Sequence, residues 1–143
     1  MVTSNVYLNF QGNTEEAFEF YKSVIGGEFH GGIMRFSDTP MADQLPEEDR
    51  SKVMHVALIL GGGTMIMGTD ALESMGQTVN FGNNSYICLG PQSIEEGEKL
   101  FNGLSEGGVI EQAFEKMFWG DYFGSFADKY GVQWMVNFHP AEE

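Results

Sequence analysis

At 143 residues the chain has room for one domain with a sizeable core, and too little for two ordinary ones. Its 42% hydrophobic and 13% aromatic content marks a folded globular protein, while 21 acidic against 7 basic residues set a net charge of -14 that repels phosphate backbones. The charge therefore argues against nucleic acid as a partner, and the acidity reads as solubility.

Cys88 is the single cysteine, so no disulfide can form within the chain; its apolar neighbours Ile87 and Leu89 make it a structural strand thiol. The opening MVTSNVYLNF lacks a basic stretch followed by an apolar one, and no run of 18 apolar residues occurs. The expectation is a cytoplasmic, soluble protein with no membrane partner.

Val6 to Phe10 alternates as a strand. Asn13 with Glu16 predicts a capping box, and Ala17, Phe20, Tyr21 and Val24 form a helical stripe that ends at Gly26-Gly27. Glu28 to Phe36 resumes as a strand interrupted at Gly31-Gly32. Residues 37–52, with Pro40, Pro46 and three consecutive acids, read as an exposed loop. Val53 to Leu60 and Thr64 to Gly68 then form a hairpin across three glycines.

After the weakly patterned residues 71–81 the plan returns. A strand, Ser85 to Leu89, leads into a helix capped by Ser93 and Glu96, with the stripe Gly97, Leu100, Phe101, Leu104 and a stop at Gly107-Gly108. A shift of 80 residues lays this helix on the first. The aromatic tail, Lys116 to Phe138, then closes with a hairpin turning at Asp128 to Gly131. The chain is thus one domain of two repeated modules, about 1–70 and 82–143, joined by a linker at 71–81. Each module runs strand, helix, three strands, and neither buries its sheet alone. The predicted fold class is α+β: tandem βαβββ modules in a curved, mixed eight-stranded sheet, helices outside and a trough within.

Three stretches, YLNFQGNTEEAFEFYKSVIGGEF, MHVALILGGGTMIMGTD and FWGDYFGSFADKYGVQWMVNF, resemble the PhnB-like branch of the vicinal oxygen chelate superfamily, which includes glyoxalase I, bleomycin and fosfomycin resistance proteins and extradiol dioxygenases. The resemblance spans nearly the whole chain, and it implies a homodimer with a small-molecule site in the trough. Many members of the branch carry a 3-demethylubiquinone methyltransferase label. The sequence, however, has no glycine-rich nucleotide loop after a strand and no doubly wound pattern for S-adenosylmethionine.

Strand alternation assigns the faces. Val132, Trp134, Val136 and Phe138 lie under the helix, which leaves Gln133, Met135 and Asn137 for the trough; the repeat places Met65 and Met67 there too. Tyr7 and Asn9 face inward from the opening strand, as do Tyr86 and Cys88 from its counterpart and His55 from the middle strand. Metal-dependent relatives carry ligands on the first and last strand of each module. The resemblance puts those places at Asn5 or Val6, Met67, Asn84 or Ser85, and Met135, a set poorly suited to a divalent ion. Neither the usual metal nor any other cofactor is expected, the alternative being a rearranged metal site on His55 with Gln133 or Asn9.

Of the three histidines, His139 is read as solvent-exposed and His30 as a loop or edge residue. His55 is the candidate general acid or base, with Asp121 able to approach from the aromatic segment. Trp119 and Phe123 are either core or ligand walls. Two functional readings follow. One is a metal-free protein that binds a small apolar or aromatic molecule through Tyr7, Asn9, Met65, Met67, Tyr86, Trp119, Phe123, Gln133 and Met135. The other is a lyase, isomerase or transferase acting on a small oxygenated substrate through His55.

Overall fold

The structure is a computed structural model describing residues 1–141, and it divides into two compact units, residues 1–80 and Phe81 onward. Nine strands and two α-helices lie among the described residues. The first unit runs β1 (Val6–Phe10), α1 (Thr14–Ile25), β2 (Glu28–Phe29), β3 (Met34–Arg35), β4 (Val53–Ile59) and β5 (Met65–Asp70). The expected second strand is broken in two, because Gly31 and Gly32 both take φ of +74 and turn the chain out of the ladder between β2 and β3. The sheet order is β1-β5-β4-β2, with β3 also paired to β4; β1 is parallel to β5 and the other pairs are antiparallel.

One face of this sheet is closed by α1. Ala17, Phe18 and Tyr21 are fully buried there with Phe10, Val56, Leu58 and Ile66. Phe18 meets Phe10 and Tyr21 edge-on, at centroid distances of 6.2 and 5.6 Å. The predicted stripe was turned by one position: Phe18 is its centre, and Phe20 and Val24 are half-buried flanks. Gly68 on β5 explains why. A Cβ there would stand 2.6 Å from the Phe18 ring, so the missing side chain makes the slot that Phe18 fills. Burying one such ring contributes about 1.5–3 kcal/mol.

The start of α1 is not closed by the expected box, since Asn13 makes no side-chain cap bond. Asp70, at the end of β5, does the capping instead. Its Oδ1 accepts from the Gly12 and Thr14 amides at 3.1 Å each and from Thr14 Oγ1 at 2.6 Å, while Oδ2 accepts from the Val53 amide at 2.8 Å. One buried carboxylate thus joins the β1–α1 turn, the start of β4 and the end of β5.

The second unit runs β6 (Ile87–Leu89), α2 (Ile94–Ser105), β7 (Val109–Lys116), β8 (Tyr122–Ala127) and β9 (Gln133–Phe138), with sheet order β6-β9-β8-β7. Here the predicted cap is made: Ser93 Oγ accepts from the Glu96 amide at 3.1 Å, and the Glu96 carboxylate accepts from the Gln92 amide at 2.9 Å. Leu100, Phe101 and Leu104 are buried against Phe126, Trp134 and Val136. Gly124 on β8 admits the Phe101 ring, as Gly68 admits Phe18. Asp128 fixes the last hairpin, its Oδ1 accepting from the Tyr130 and Val132 amides and its Oδ2 from Trp134 Nε1, at 2.8, 3.0 and 2.8 Å.

The two helices are offset by 80 residues and the closing strands by 68, as the repeat predicts. The opening strands are offset by 81, because Val6 pairs with Ile66 whereas Ile87 pairs with Trp134. The position equivalent to Asn5 is therefore Tyr86, neither Asn84 nor Ser85, and Ser85 precedes the strand.

Replacing Asp70 with Asn keeps the shape but sets an amide N–H against a backbone donor. Asp70→Asn is expected to lower unfolding stability by about 1–3 kcal/mol in urea; an unchanged midpoint would show that the carboxylate is not the joint described.

Candidate functional site

In the first unit the sheet face away from α1 carries Tyr7, Asn9, His55, Met67 and Thr69. Tyr7 is level with Met67 and Asn9 with Thr69 in the β1–β5 ladder. The Tyr7 phenol crosses β5 to reach β4, where its hydroxyl meets His55 Nδ1 at 3.1 Å and the rings lie 5.7 Å apart. Strands spaced about 4.8 Å apart leave a span of two strand widths, which the tyrosine and histidine side chains cover together. Burial pushes the Tyr7 pKa above its ordinary value, against an opposing hydrogen bond with Thr69. The phenol is therefore neutral, donating to Nδ1 in one imidazole tautomer and accepting from it in the other.

Beside Tyr7 and Asn9 opens a cavity of about 840 Å³ within the first unit. Its lining mixes polar Tyr7, Asn9, Thr69, Gln77, Thr78 and Asn80 with apolar Phe36, Met41, Met54, Leu72 and Met75. The loop predicted to be exposed supplies part of this lining. Residues 36–49 form three short 3-10 turns in which Phe36 and Leu45 are buried against Leu72, with Met54 packed alongside.

The segment after β5 is clamped in place. Gln11 Nε2 donates to the Ala71 and Gln77 carbonyls at 3.3 and 3.4 Å, and Gln11 Oε1 accepts from the Val79 amide at 2.9 Å. Gln77 Oε1 in turn accepts from the Leu72 amide at 2.9 Å. Buried Asp49 joins the two wall segments, bonding Lys52 Nζ at 2.8 Å and the Ser74 hydroxyl.

The corresponding face of the second unit carries Cys88, Phe123, Met135 and Asn137. Cys88 and Ser125 flank Met135, and Phe123 flanks Asn137. The offset of 68 places Phe123 where His55 stands in the first unit. Gln133 Nε2 donates to the Ser85 carbonyl at 2.8 Å, and Tyr86 donates to both oxygens of Glu111 at 2.9 and 3.0 Å. The Glu111 carboxylate raises the Tyr86 pKa, while partial desolvation raises that of Cys88, which is exposed at the surface.

Trp119 is no core residue. It sits in the β7–β8 turn, 53% exposed, against Phe118 and Phe123. Asp121 is engaged at both oxygens, by His139 Nδ1 and by Asn137 Nδ2, so His139 is a surface residue with an acidic partner. The first of these bonds is the main cause holding the Asp121 pKa below its ordinary value.

Of the residues singled out by sequence, the structure thus brings Tyr7 and Asn9 to the cavity and His55 to Tyr7. It places Met67 beside Tyr7, and Met65 two residues earlier on β5. Sequence reasoning missed Gln11, Phe36, Met41, Met54, Leu72 and Met75. Apolar Met41 and Leu45 inside a polar stretch were the available signal.

The donor set does not fit a divalent metal of the kind such folds carry. The four strand places are held by Asn5, Met67, Tyr86 and Met135, and among the described residues no three His, Cys, Asp or Glu side chains converge. No helix among the described residues is long and apolar enough to cross a membrane.

The two units, each a mixed sheet with one helix, define the α+β glyoxalase/bleomycin-resistance fold, which solved proteins of that kind share at lower identity. The chain belongs to the PhnB-like family whose model is described as 3-demethylubiquinone-9 3-methyltransferase and matches residues 3–137. Protein YjdN of Escherichia coli K12 is 33% identical over 137 residues, covering 92% of this chain and 91% of that protein. The crystal structure of PA1353 from Pseudomonas aeruginosa is also 33% identical, covers 97% of this chain and 98% of its own, and superposes with a TM-score of 0.84. The PhnB protein from Bacillus cereus follows at 24% identity, 96% and 99% coverage and a TM-score of 0.76, a likeness that bears on the fold.

The cavity wall has a pH signature. Lys52, then Ser74, hold the Asp49 pKa below its ordinary value of 3.8. A carboxyl depressed in the folded state stabilises the fold above its ordinary value and loses that contribution as pH falls through the depressed one. Asp49→Asn is therefore expected to flatten the fall in urea midpoint below about pH 4; a variant with the wild-type acid slope would contradict the assignment.

Proposed function

We propose that this protein binds a small molecule with an apolar or aromatic body in the first unit's cavity, without the divalent metal of its superfamily relatives. The observation that carries the reading is the presence of three methionines together with hydroxyl and amide groups in the cavity lining. Met41, Met54 and Met75 are unbranched and adapt to a flat or aliphatic body, while Tyr7, Asn9 and Thr69 gather hydroxyl and amide groups that suit a carbonyl or hydroxyl at one end. Thioethers at Met67 and Met135 support the metal-free part, being weak donors to hard ions.

The family's methyltransferase description names a reaction that would need a methyl donor. The helix starts are poorly placed to hold one: the Gly12 and Thr14 amides go to Asp70, and the Glu96 amide goes to Ser93. In the second unit, Tyr86, Phe123, Gln133 and Met135, with Trp119 beside Phe123, are proposed as a further ligand surface. The proposed state is a cytoplasmic protein and a homodimer, the dimer being what the resemblance implies, and sedimentation equilibrium tests the dimer.

The binding reading is tested with 2-naphthol as a neutral aromatic probe in amide-resolved NMR. Shifts are expected at Asn9, Thr69, Leu72 and Met75, and Met75→Glu at the half-exposed rim should weaken binding at least about tenfold. Shifts confined to other residues, or no loss in that variant, would overturn it.

A second reading, an enzyme acting on a small oxygenated substrate, is favoured by the Tyr7–His55 bond, because Tyr7 lines the cavity and His55 stands behind it. On that reading His55→Gln lowers turnover by about 10²–10⁴ with the fold intact. An unchanged rate would remove His55 from the chemistry.

A further inference from the structure

The cavity's lining carries a charge pattern as well as a shape. Tyr7, Asn9, Thr69, Gln77, Thr78 and Asn80 offer uncharged donors and acceptors, and among the described residues no lysine, arginine or histidine lines it. Asp70 is its one charged residue. A cavity for a carboxylate or phosphate needs the opposite, since an anion taken from water without a cation or converging N–H donors is costly to hold.

The positive groups of this unit's β3–β4 region are already engaged. Arg35 forks onto both oxygens of Glu15 at 3.0 and 2.9 Å, and Lys52 Nζ bonds Asp49 at 2.8 Å. Arg50 donates through Nε to the Leu45 carbonyl at 3.3 Å. His55 stands behind Tyr7 with its Nδ1 on the phenol. The start of α1 is a further positive end, and there Asp70 itself accepts from the Gly12 and Thr14 amides. The helix end offsets roughly half a charge. The donors to Asp70 are three amides and the Thr14 hydroxyl, all neutral groups, so the carboxylate keeps the balance of its negative charge beside the cavity.

We infer, on the reading that the cavity binds a small molecule, that its ligand meets the protein with an uncharged polar end, an alcohol, phenol, ketone or amide, and that a carboxylate or phosphate on the same body is rejected. Asp70 is the specificity-determining residue: it fills the helix start beside the cavity and leaves a negative charge there.

Two probes with the same ring system, 2-naphthol and 2-naphthoate, test this on the whole protein by amide-resolved NMR. At neutral pH the first is uncharged and the second an anion, and 2-naphthoate should bind at least about tenfold more weakly, read from the shifts at Asn9, Thr69, Leu72 and Met75. The difference should persist at roughly 1 M salt, where screening shortens the reach of the overall charge of -14 to about 3 Å. Thr78→Lys, at an exposed position of the lining, should raise the affinity for 2-naphthoate relative to 2-naphthol at least about fivefold. Equal affinities, a difference that vanishes in salt, or a ratio unmoved by Thr78→Lys would overturn the charge preference and leave the binding reading standing. Failure of both probes to shift those amides would overturn the two together.

Discussion

The Asp70 carboxylate is the constraint on which the first unit depends. Four donors from three segments converge on it, so the turn after β1, the first turn of α1 and the entrance to β4 are fixed by one side chain at the end of β5. A buried carboxylate is tolerated because charge-assisted bonds fill its acceptor sites. It also lies beside the cavity, whose lining it joins. Asn9 and Thr69 adjoin the residues that Asp70 ties together, and Ala71 and Leu72 leave the sheet directly after it toward the clamp made by Gln11.

The two units show how one plan supports different chemistry. Each buries a helix phenylalanine in a glycine slot, yet the slot changes strand: Gly68 lies opposite Val56 in the first unit, and Gly124 opposite Val136 in the second. The packing requirement is one missing Cβ under an aromatic ring, and either strand of the hairpin can provide it. The outer faces diverge further. Tyr7 corresponds to Cys88, His55 to Phe123 and Thr69 to Asn137, while Met67 and Met135 keep the same residue type. The Tyr7–His55 pair therefore has no counterpart in the second unit, and the polar and apolar groups of the proposed site belong to the first.

Local chemistry made much of this legible in the sequence. The second helix was readable to its cap, because Ser93 and Glu96 act within four residues and Leu100, Phe101 and Leu104 repeat at helical spacing. Strand faces follow from alternation, which puts His55 and Tyr7 on one side, where the two side chains meet. What failed was set by residues distant in sequence. Nothing near Asn13 announces that a carboxylate 57 positions away will take over its cap. The charge of residues 37–52 hid that Phe36 and Leu45 pack on Leu72. The opening-strand offset of 81 is invisible to a helix-based alignment, and it moved one implied metal place onto Tyr86.

The central claim is that ligand chemistry here belongs to a cavity lined by methionines together with Tyr7, Asn9 and Thr69, and not to a divalent-metal site. A crystal structure of the protein grown with 2-naphthol and Mn²⁺ tests it most directly. The account predicts the aromatic body against Met41, Met54 and Met75, its hydroxyl toward Tyr7 or Asn9, and no Mn²⁺ at Met67 or Met135. An ordered Mn²⁺ held by residues of either sheet face, with the cavity empty, would contradict it.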